Sequence, residues 1–218
     1  MSAPLLFPPG DNAPPRHPDH FAEVVETSTT EFLAQCLEPE DLRFPAMPPF
    51  GSWVWARDAE TGYAVYAVVY QVSSSPIDAV HRTRALGLSL EELRQQQPQI
   101  FTLLKTEFRA SILGYREGDG GAFRQYLPPR PPQIHQSVYR CPPETVLAFT
   151  ETLDFLRTVL QLTQAPTDAL VGTLLREGYQ LRRGDREWLV QAGRHLSLLL
   201  RDDYDRLRAI LAQCHLGD

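Results

Sequence analysis

The stretch "GSWVWARDAETGYAVYAVVYQV", residues 51–72, decides the fold of the first part of the chain. Two runs rich in aromatic and β-branched residues, which favour strands, flank a short polar segment that ends in glycine. The pattern predicts a β-hairpin in which residues 53–55 form one strand, residues 58–62 turn and residues 63–72 return. Successive side chains of a strand point to opposite faces, so the aromatic residues of this hairpin cannot all lie inside a small barrel.

Alternation with a period of two continues on both sides of the hairpin, from Phe21 to about Val146. Residues 21–38 predict one long or bent strand, residues 105–115 predict another, and residues 137–140 predict a short last strand. A helical excursion is predicted at residues 74–104, where Ser89 and Glu92 form an S-x-x-E capping box. The helix that the box opens should end before Pro98, which can begin a second short helix.

The periodicity changes to 3.6 after residues 141–144. Residues 143–162 carry their apolar side chains on one stripe and predict a single amphipathic helix. Further helices are predicted from Thr167 to about Leu181, after a cap at Asp185, and over the last residues of the chain. These patterns predict an α+β fold in which a β-rich domain precedes a small helical bundle.

A run of four hydroxyl residues, Thr27 to Thr30, is open to two interpretations. It could be a phosphate cradle or contain a nucleophile, or it could be a polar part of a strand. Neither a histidine nor a glycine-rich turn is nearby to activate a hydroxyl, and threonine is a good strand former. We therefore favour the strand.

Composition limits the classes of function. The net charge of -6 and the pI near 5.5 argue against a general polyanion binder, because such proteins accumulate Lys and Arg. The three cysteines, Cys36, Cys141 and Cys214, lie far apart without a CxxC motif and are expected to be reduced thiols. Residues 1–19 are rich in proline and predict a flexible arm, and no apolar run is long enough for a membrane span. We expect a soluble, cytoplasmic protein.

Candidate catalytic and metal-binding residues have simpler explanations. The segment "HPDH" at residues 17–20 could offer a metal two histidines and an aspartate, but it lies in the proline-rich arm and is expected to be a solvated tail. The carboxylates at 91–92 and 202–205 stand where helices begin, and acids are favourable at that position. No catalytic residue, cofactor-binding residue or metal ligand is therefore predicted, and we do not expect an enzyme.

The order of motifs in the first part of the chain resembles a known domain. "AEVVETSTTEFLAQC", the hairpin ending "VYAVVYQV", the excursion, "TEFRASILGY" and "LPPRPPQIHQSVY" follow one another as in the HAS barrel. This is the small β-barrel at the N-terminus of HerA-type hexameric translocases and of the F1-type ATP synthase α and β subunits. The resemblance covers residues 20–147 and implies a closed antiparallel or mixed barrel with a helical insertion, leaving residues 148–218 as the helical domain.

In those families the barrel is a collar that packs against neighbouring barrels or an accessory protein. No GxxxxGK[ST] motif occurs in this sequence, so the nucleotide-driven activity of those families does not carry over. The resemblance implies an interaction platform, and related barrels without an ATPase core occur in bacteria.

The leading hypothesis is a non-enzymatic adaptor or assembly factor that docks a protein partner through the barrel, while the helical domain adds a second surface or forms a homo-oligomer. The candidate partner-binding residues are the hairpin aromatics and four arginines of the segments "LPPRPP" and "LRRGDREW": Trp53, Trp55, Tyr63, Tyr66, Tyr70, Arg130, Arg182, Arg183 and Arg186. The hairpin aromatics serve a partner only if no second layer covers them. The proline-rich segment is either a polyproline ligand or the extended edge that closes the barrel.

The alternative hypothesis is that the aromatic face of the barrel binds single-stranded nucleic acid. Small barrels of this kind stack bases on aromatic side chains beside basic residues. Arg57 is the basic residue within the hairpin, which weakens this hypothesis.

Overall fold

The computed structural model describes residues 17, 19–38, 44–77, 85–118 and 120–214. Strands occupy the first part of this range and most of the helices follow them. The strands are β1 (His20–Thr27), β2 (Glu31–Cys36), β3 (Trp53–Arg57), β4 (Ala64–Pro76), β5 (Leu104–Arg116), β6 (Phe123–Arg124) and β7 (Ser137–Arg140). The helices are α1 (Leu90–Gln96), α2 (Gln99–Thr102), α3 (Pro143–Phe149), α4 (Phe155–Leu160), α5 (Thr167–Leu181), α6 (Arg186–Leu199) and α7 (Tyr204–Gln213).

Six of the strands close into a barrel. Their order around the barrel is β1, β2, β5, β4, β3 and β7, and β7 pairs again with β1. Every neighbouring pair is antiparallel, and the short β6 adds to β5 outside the ring. The predicted closed barrel followed by helices is therefore confirmed, and an α+β class describes the chain.

The inside of the barrel is a packed core. Alternate residues of each strand point inward, where small side chains such as Ala22, Ala67 and Ala110 leave room for the rings of Phe32 and Phe108. These five residues are all almost completely buried. The interior of the barrel is therefore filled by side chains.

The prediction of one strand over residues 21–38 was wrong, because the run of hydroxyl residues is a hairpin turn between β1 and β2. The amide of Ser28 donates to the carbonyl of Glu31 at 2.9 Å, and the Ser28 hydroxyl donates to the same carbonyl at 3.0 Å. The amide of Glu31 in turn donates to the Ser28 hydroxyl at 3.3 Å. A serine can stabilise a turn in this way without glycine or proline, the residues that usually reveal a turn in a sequence.

The β3–β4 hairpin is confirmed. The buried carboxylate of Asp58 accepts hydrogen bonds from the amide and the hydroxyl of Thr61, at 3.2 and 2.5 Å. Gly62 has a φ of +72°, a conformation that favours glycine. Burial by itself raises the pKa of Asp58, but the hydrogen bonds from Thr61 outweigh burial and hold the pKa below its usual value. The turn is therefore fixed by its own residues.

The excursion contains the two predicted short helices. Ser89 and Glu92 form the capping box that begins α1, and α2 follows Pro98. Strand pairing continues beyond the predicted start of the excursion, as far as Pro76 opposite Leu104. The excursion therefore leaves the barrel at the end of a long two-stranded ribbon.

The single helix predicted over residues 143–162 is instead divided into α3 and α4. Side chains from distant segments bind the carbonyls where α3 ends: Gln125 Nε2 donates to Phe149 O at 2.6 Å, and Trp188 Nε1 donates to Thr150 O at 3.1 Å. These contacts replace the helical hydrogen bonds that the carbonyls would otherwise accept.

The later helices agree more closely with their predictions. The residues of α5 are as predicted, although Pro166 rather than Thr167 occupies its cap position. Asp185 caps α6 by accepting from the amides of Glu187 and Trp188, as predicted. Asp203 caps α7 by accepting from the amide of Arg206.

A second core lies between the outer wall of the barrel and the helices. Trp53, Tyr66, Tyr70 and Leu113 point outward from the strands and join a continuous apolar cluster with the helices. The helical residues of this cluster include Phe149, Phe155, Leu156, Leu170, Leu174 and Trp188. One side of the barrel wall is thus covered by the chain itself.

Candidate functional site

The helices cover three of the hairpin aromatics that were candidates for partner binding. Trp53, Tyr66 and Tyr70 are only 4%, 2% and 3% exposed. The ring of Trp53 lies 5.2 Å from Phe149 and 5.5 Å from Phe155, and the ring of Tyr66 lies 5.7 Å from Phe149. These side chains bind the protein's own helices, so they offer no surface to a partner while the helices are in place.

Trp55 lies on the same outward face of β3 and packs against this apolar cluster. It is only partly buried, and Tyr139 of β7 lies directly opposite it in the sheet register. The two rings are stacked, with centroids 4.6 Å apart and an angle of 21° between their planes. We call this part of the outer wall, with the residues that border it below, the Trp55–Tyr139 surface.

Two histidines and an arginine border the stacked pair. The ring of His20 lies 5.5 Å from Tyr139, and the ring of His17 meets Tyr139 edge-on at 5.7 Å. The guanidinium of Arg57, an exposed residue, lies 5.9 Å from the centre of the Trp55 ring. The resulting surface combines aromatic rings with two imidazole rings and one guanidinium group.

A bulge in β1 brings His20 to this surface. The register between β1 and β7 shifts between His20 and Ala22, so that Ala22 is opposite the buried Val138 and His20 is opposite Tyr139. Without the shift, His20 would have the same inward orientation as Ala22.

The sequence did not indicate a role for Tyr139, and residues 17–20 were expected to form a solvated tail rather than a metal site. His20 instead begins β1 and is partly buried. Within the described part of the chain, no group of three or more His, Cys, Asp or Glu side chains is arranged to hold a metal ion. The alternation in "SVYR" indicates that Tyr139 points outward, but only the pairing of β7 with β3 brings it to Trp55.

Tyr63, another candidate from the hairpin, belongs to a separate aromatic cluster. Its ring stacks on Tyr115 at 5.3 Å, and Tyr115 in turn meets the exposed Tyr126 edge-on at 5.6 Å. A hydrogen bond with Tyr126, together with burial, raises the pKa of Tyr115. Tyr63 therefore packs at the turn end of the hairpin.

Arg130 binds within the chain. Its guanidinium forms an ion pair with Glu60 and lies 3.8 Å from the carboxylate of Asp58. Gln133 adds a hydrogen bond to Glu60 at 2.8 Å, and both contacts hold the pKa of Glu60 below its usual value. The proline-rich segment is thus fastened to the β3–β4 turn, which agrees with a barrel edge rather than a free ligand.

The three arginines of "LRRGDREW" do not form one site. Arg182 turns inward and donates to Thr150 Oγ1 and to Leu147 O, each at 3.0 Å. Arg183 is exposed in the turn between α5 and α6, and Arg186 lines a shallow groove of about 400 Å³ on α6. Only Arg183 and Arg186 remain as surface residues.

The family comparison assigns the β-rich part of the chain. Residues 21–118 match the HAS barrel domain family. The six strands that close into a barrel begin with β1 in this region and end with β7. This part of the chain is a HAS barrel. The match extends from β1 to the end of β5, so that β7, which closes the HAS barrel, lies beyond the matched residues.

No curated protein matches this sequence. Of the helices in the described ranges, none has the length and apolar character needed to cross a membrane.

Proposed function

We propose that this protein is an adaptor or assembly factor whose HAS barrel binds a protein partner through the Trp55–Tyr139 surface. The observation that carries the proposal is that the helices cover only part of the outer wall of the barrel. The helices bury Trp53, Tyr66 and Tyr70, whereas the stacked pair of Trp55 and Tyr139 stays partly exposed with Arg57 beside it.

The composition of this surface fits a protein interface. Tryptophan, tyrosine and arginine are the residues that most often dominate the binding free energy of such interfaces. Arg57 is exposed, and its guanidinium lies 5.9 Å from the centre of the Trp55 ring. Such a surface suits a partner segment that combines acidic and apolar side chains.

The properties of the cysteines and of the hydroxyl run support a role in binding rather than in catalysis. Burial raises the pKa of the Cys36 thiol to about 11 and that of the Cys141 thiol well above its ordinary value. Both thiols therefore stay protonated at neutral pH and are poor nucleophiles. The hydroxyl run provides the turn between β1 and β2.

The test is affinity capture from a native lysate with quantitative mass spectrometry. Arg57→Glu reverses a charge on the Trp55–Tyr139 surface, and Arg183→Glu makes the same change on an exposed arginine of the α5–α6 turn. We expect a reproducible partner whose recovery falls about tenfold or more with Arg57→Glu and is unchanged with Arg183→Glu. Equal recovery with both variants, or no reproducible partner, would refute the proposal.

Single-stranded nucleic acid is a second candidate ligand for the same surface. The specific observation in its favour is that the guanidinium of Arg57 lies 5.9 Å from the centre of the Trp55 ring. The net charge of -6 opposes this function. Fluorescence titration with single-stranded DNA over a salt series tests this candidate, because saturable binding that weakens steeply with salt would support it and no binding would exclude it.

A further inference from the structure

A polar cleft lies between the HAS barrel and the helices and includes no residue of the Trp55–Tyr139 surface. Its barrel wall comes from the β1–β2 turn, β2, β4 and β5, and its other wall comes from α4 and the segment that joins α4 to α5. The cleft has a volume of about 470 Å³, within the range of about 300–1,000 Å³ that is usual for small-molecule sites. Its lining residues are Ser28, Thr30, Glu31, Tyr70, Ser111, Thr158, Gln161, Leu162, Thr163, Gln164 and Ala165.

The lining consists mostly of uncharged hydrogen-bonding side chains. Serine and threonine hydroxyls come from both walls, and the side-chain amides of Gln161 and Gln164 come from the helical wall. Hydroxyls both donate and accept, and so do amides, so together they can pair with a ligand that carries many groups of the same kind. Leu162 and Ala165 add apolar surface.

Glu31 is the one charged residue among those that line the cleft, and its carboxylate is already engaged. Tyr70 donates to Glu31 Oε2 at 2.5 Å, and Arg109 Nη1 donates to Glu31 Oε1 at 3.1 Å. Arg109 also lies 3.5 Å from Glu26, so its charge is shared between two carboxylates. The lining offers no arginine or lysine to a phosphate or carboxylate, and the paired Glu31 attracts cations only weakly.

Ser111 indicates that the lining has unused hydrogen-bonding capacity. The residue is 1% exposed, and its hydroxyl makes no hydrogen bond with any residue that the structure describes. Buried hydroxyls in folded proteins nearly always have a partner. Ser111 lies on the outward face of β5 opposite Glu31 of β2, at the centre of the barrel wall of the cleft.

We propose that this cleft binds a small, neutral, hydroxyl-rich molecule, a sugar or a polyol. The ligand contacts both walls at once and therefore holds the helices against the barrel. Because it binds the folded state alone, it raises the unfolding temperature in a concentration-dependent way. This inference is independent of the Trp55–Tyr139 surface and of any protein partner.

The test uses the full-length protein and named probes. D-glucose, maltose and myo-inositol represent the proposed class, and inorganic phosphate and spermidine represent anions and cations. Binding is followed by thermal shift and by two-dimensional NMR of backbone amides. We expect at least one neutral probe to give saturable shifts confined to the β1–β2 turn and residues 161–165. Saturation by phosphate or spermidine instead, scattered shifts, or no saturation by any neutral probe would overturn the proposal.

Two variants test the assignment to the cleft. Ser111→Ala removes a hydroxyl without a partner in the described residues, so the fold should be preserved, and Gln161→Ala changes an exposed side chain of the other wall. Each should weaken binding by about threefold to tenfold, the usual effect of one hydrogen bond. Ser73→Ala, an exposed serine of β4 outside the cleft, is the matched control and should bind as the wild type does. Wild-type affinity in both cleft variants would refute the site.

Discussion

Replacing Arg182 by alanine should destabilise the contact between α5 and α3. The guanidinium donates to Thr150 Oγ1 and Leu147 O at 3.0 Å each and lies 4.3 Å from the centre of the Trp188 ring. Hydrogen bonds that involve a charged group contribute about 1.5–3 kcal/mol each when they are shielded from water. Because Arg182 is only partly buried, we expect a total loss of about 2–4 kcal/mol from the hydrogen bonds and the ring contact together.

Urea and thermal unfolding measure this loss directly. For a chain of this length about 1 kcal/mol corresponds to 2–4 °C, so the unfolding temperature of Arg182→Ala should fall by roughly 4–16 °C. Arg182→Lys keeps the charge but loses the planar guanidinium group. Its unfolding temperature should therefore lie between those of the wild type and the alanine variant. The control is Arg183→Ala, an exposed neighbour, which should change stability by less than about 0.5 kcal/mol. Equal effects at Arg182 and Arg183 would refute the inward role of Arg182.

Two other pairs of variants test the packing and the electrostatics of the helices. Gly178→Ala should destabilise the fold by about 1–3 kcal/mol, because the added methyl would lie 2.5 Å from the Trp188 ring. Gly193→Ala, where the nearest atom is 3.8 Å away, should stabilise α6 by about 0.5–1 kcal/mol, and equal urea midpoints for the two variants would contradict this packing. Burial raises the pKa of Glu177 to about 7, above the value of about 4.3 in an unfolded chain, so the stability of the folded state should fall as the pH rises between these values. Glu177→Gln should therefore gain about 1–3 kcal/mol over the wild type between pH 5 and pH 8 in urea titrations, and the same gain with the exposed Glu187→Gln would contradict the cause.

Features that depend on neighbouring residues were predictable from the sequence. The capping box of Ser89 and Glu92, the cap at Asp185 and the turn that begins at Asp58 all form through hydrogen bonds within a few positions. Because these hydrogen bonds join neighbouring residues, the conformation that they stabilise can be predicted from the local sequence. The barrel itself was predicted from the order of motifs along the chain. The last of these motifs contains β7, which closes the barrel.

Features that depend on distant residues were not predictable in the same way. The break between α3 and α4 is fixed by Gln125 and Trp188, which lie on either side of it in the sequence and bind its carbonyls. The β1–β2 turn was missed for a different reason, because Ser28 replaces the usual turn residues.

The candidate site was predictable only in part. The sequence indicates that Trp55 points outward from a hairpin, but only the structure shows that Trp53 is buried under the helices while Trp55, which packs against the same cluster, stays partly exposed. Tyr139, which stacks on Trp55, comes from β7, the last strand of the barrel. No residue pattern in the sequence indicates the bulge that turns His20 outward.

Site-specific photo-cross-linking tests most directly whether the protein acts through the Trp55–Tyr139 surface. A photoreactive phenylalanine derivative is placed at position 17, whose side chain meets Tyr139, and at position 183, in the α5–α6 turn. Both positions are exposed, so neither substitution should disturb the core, and Arg57 is kept in both variants. We predict that one partner protein cross-links reproducibly at position 17 and not at position 183. A partner that cross-links at position 183 alone, or no cross-link at position 17, would contradict the proposal.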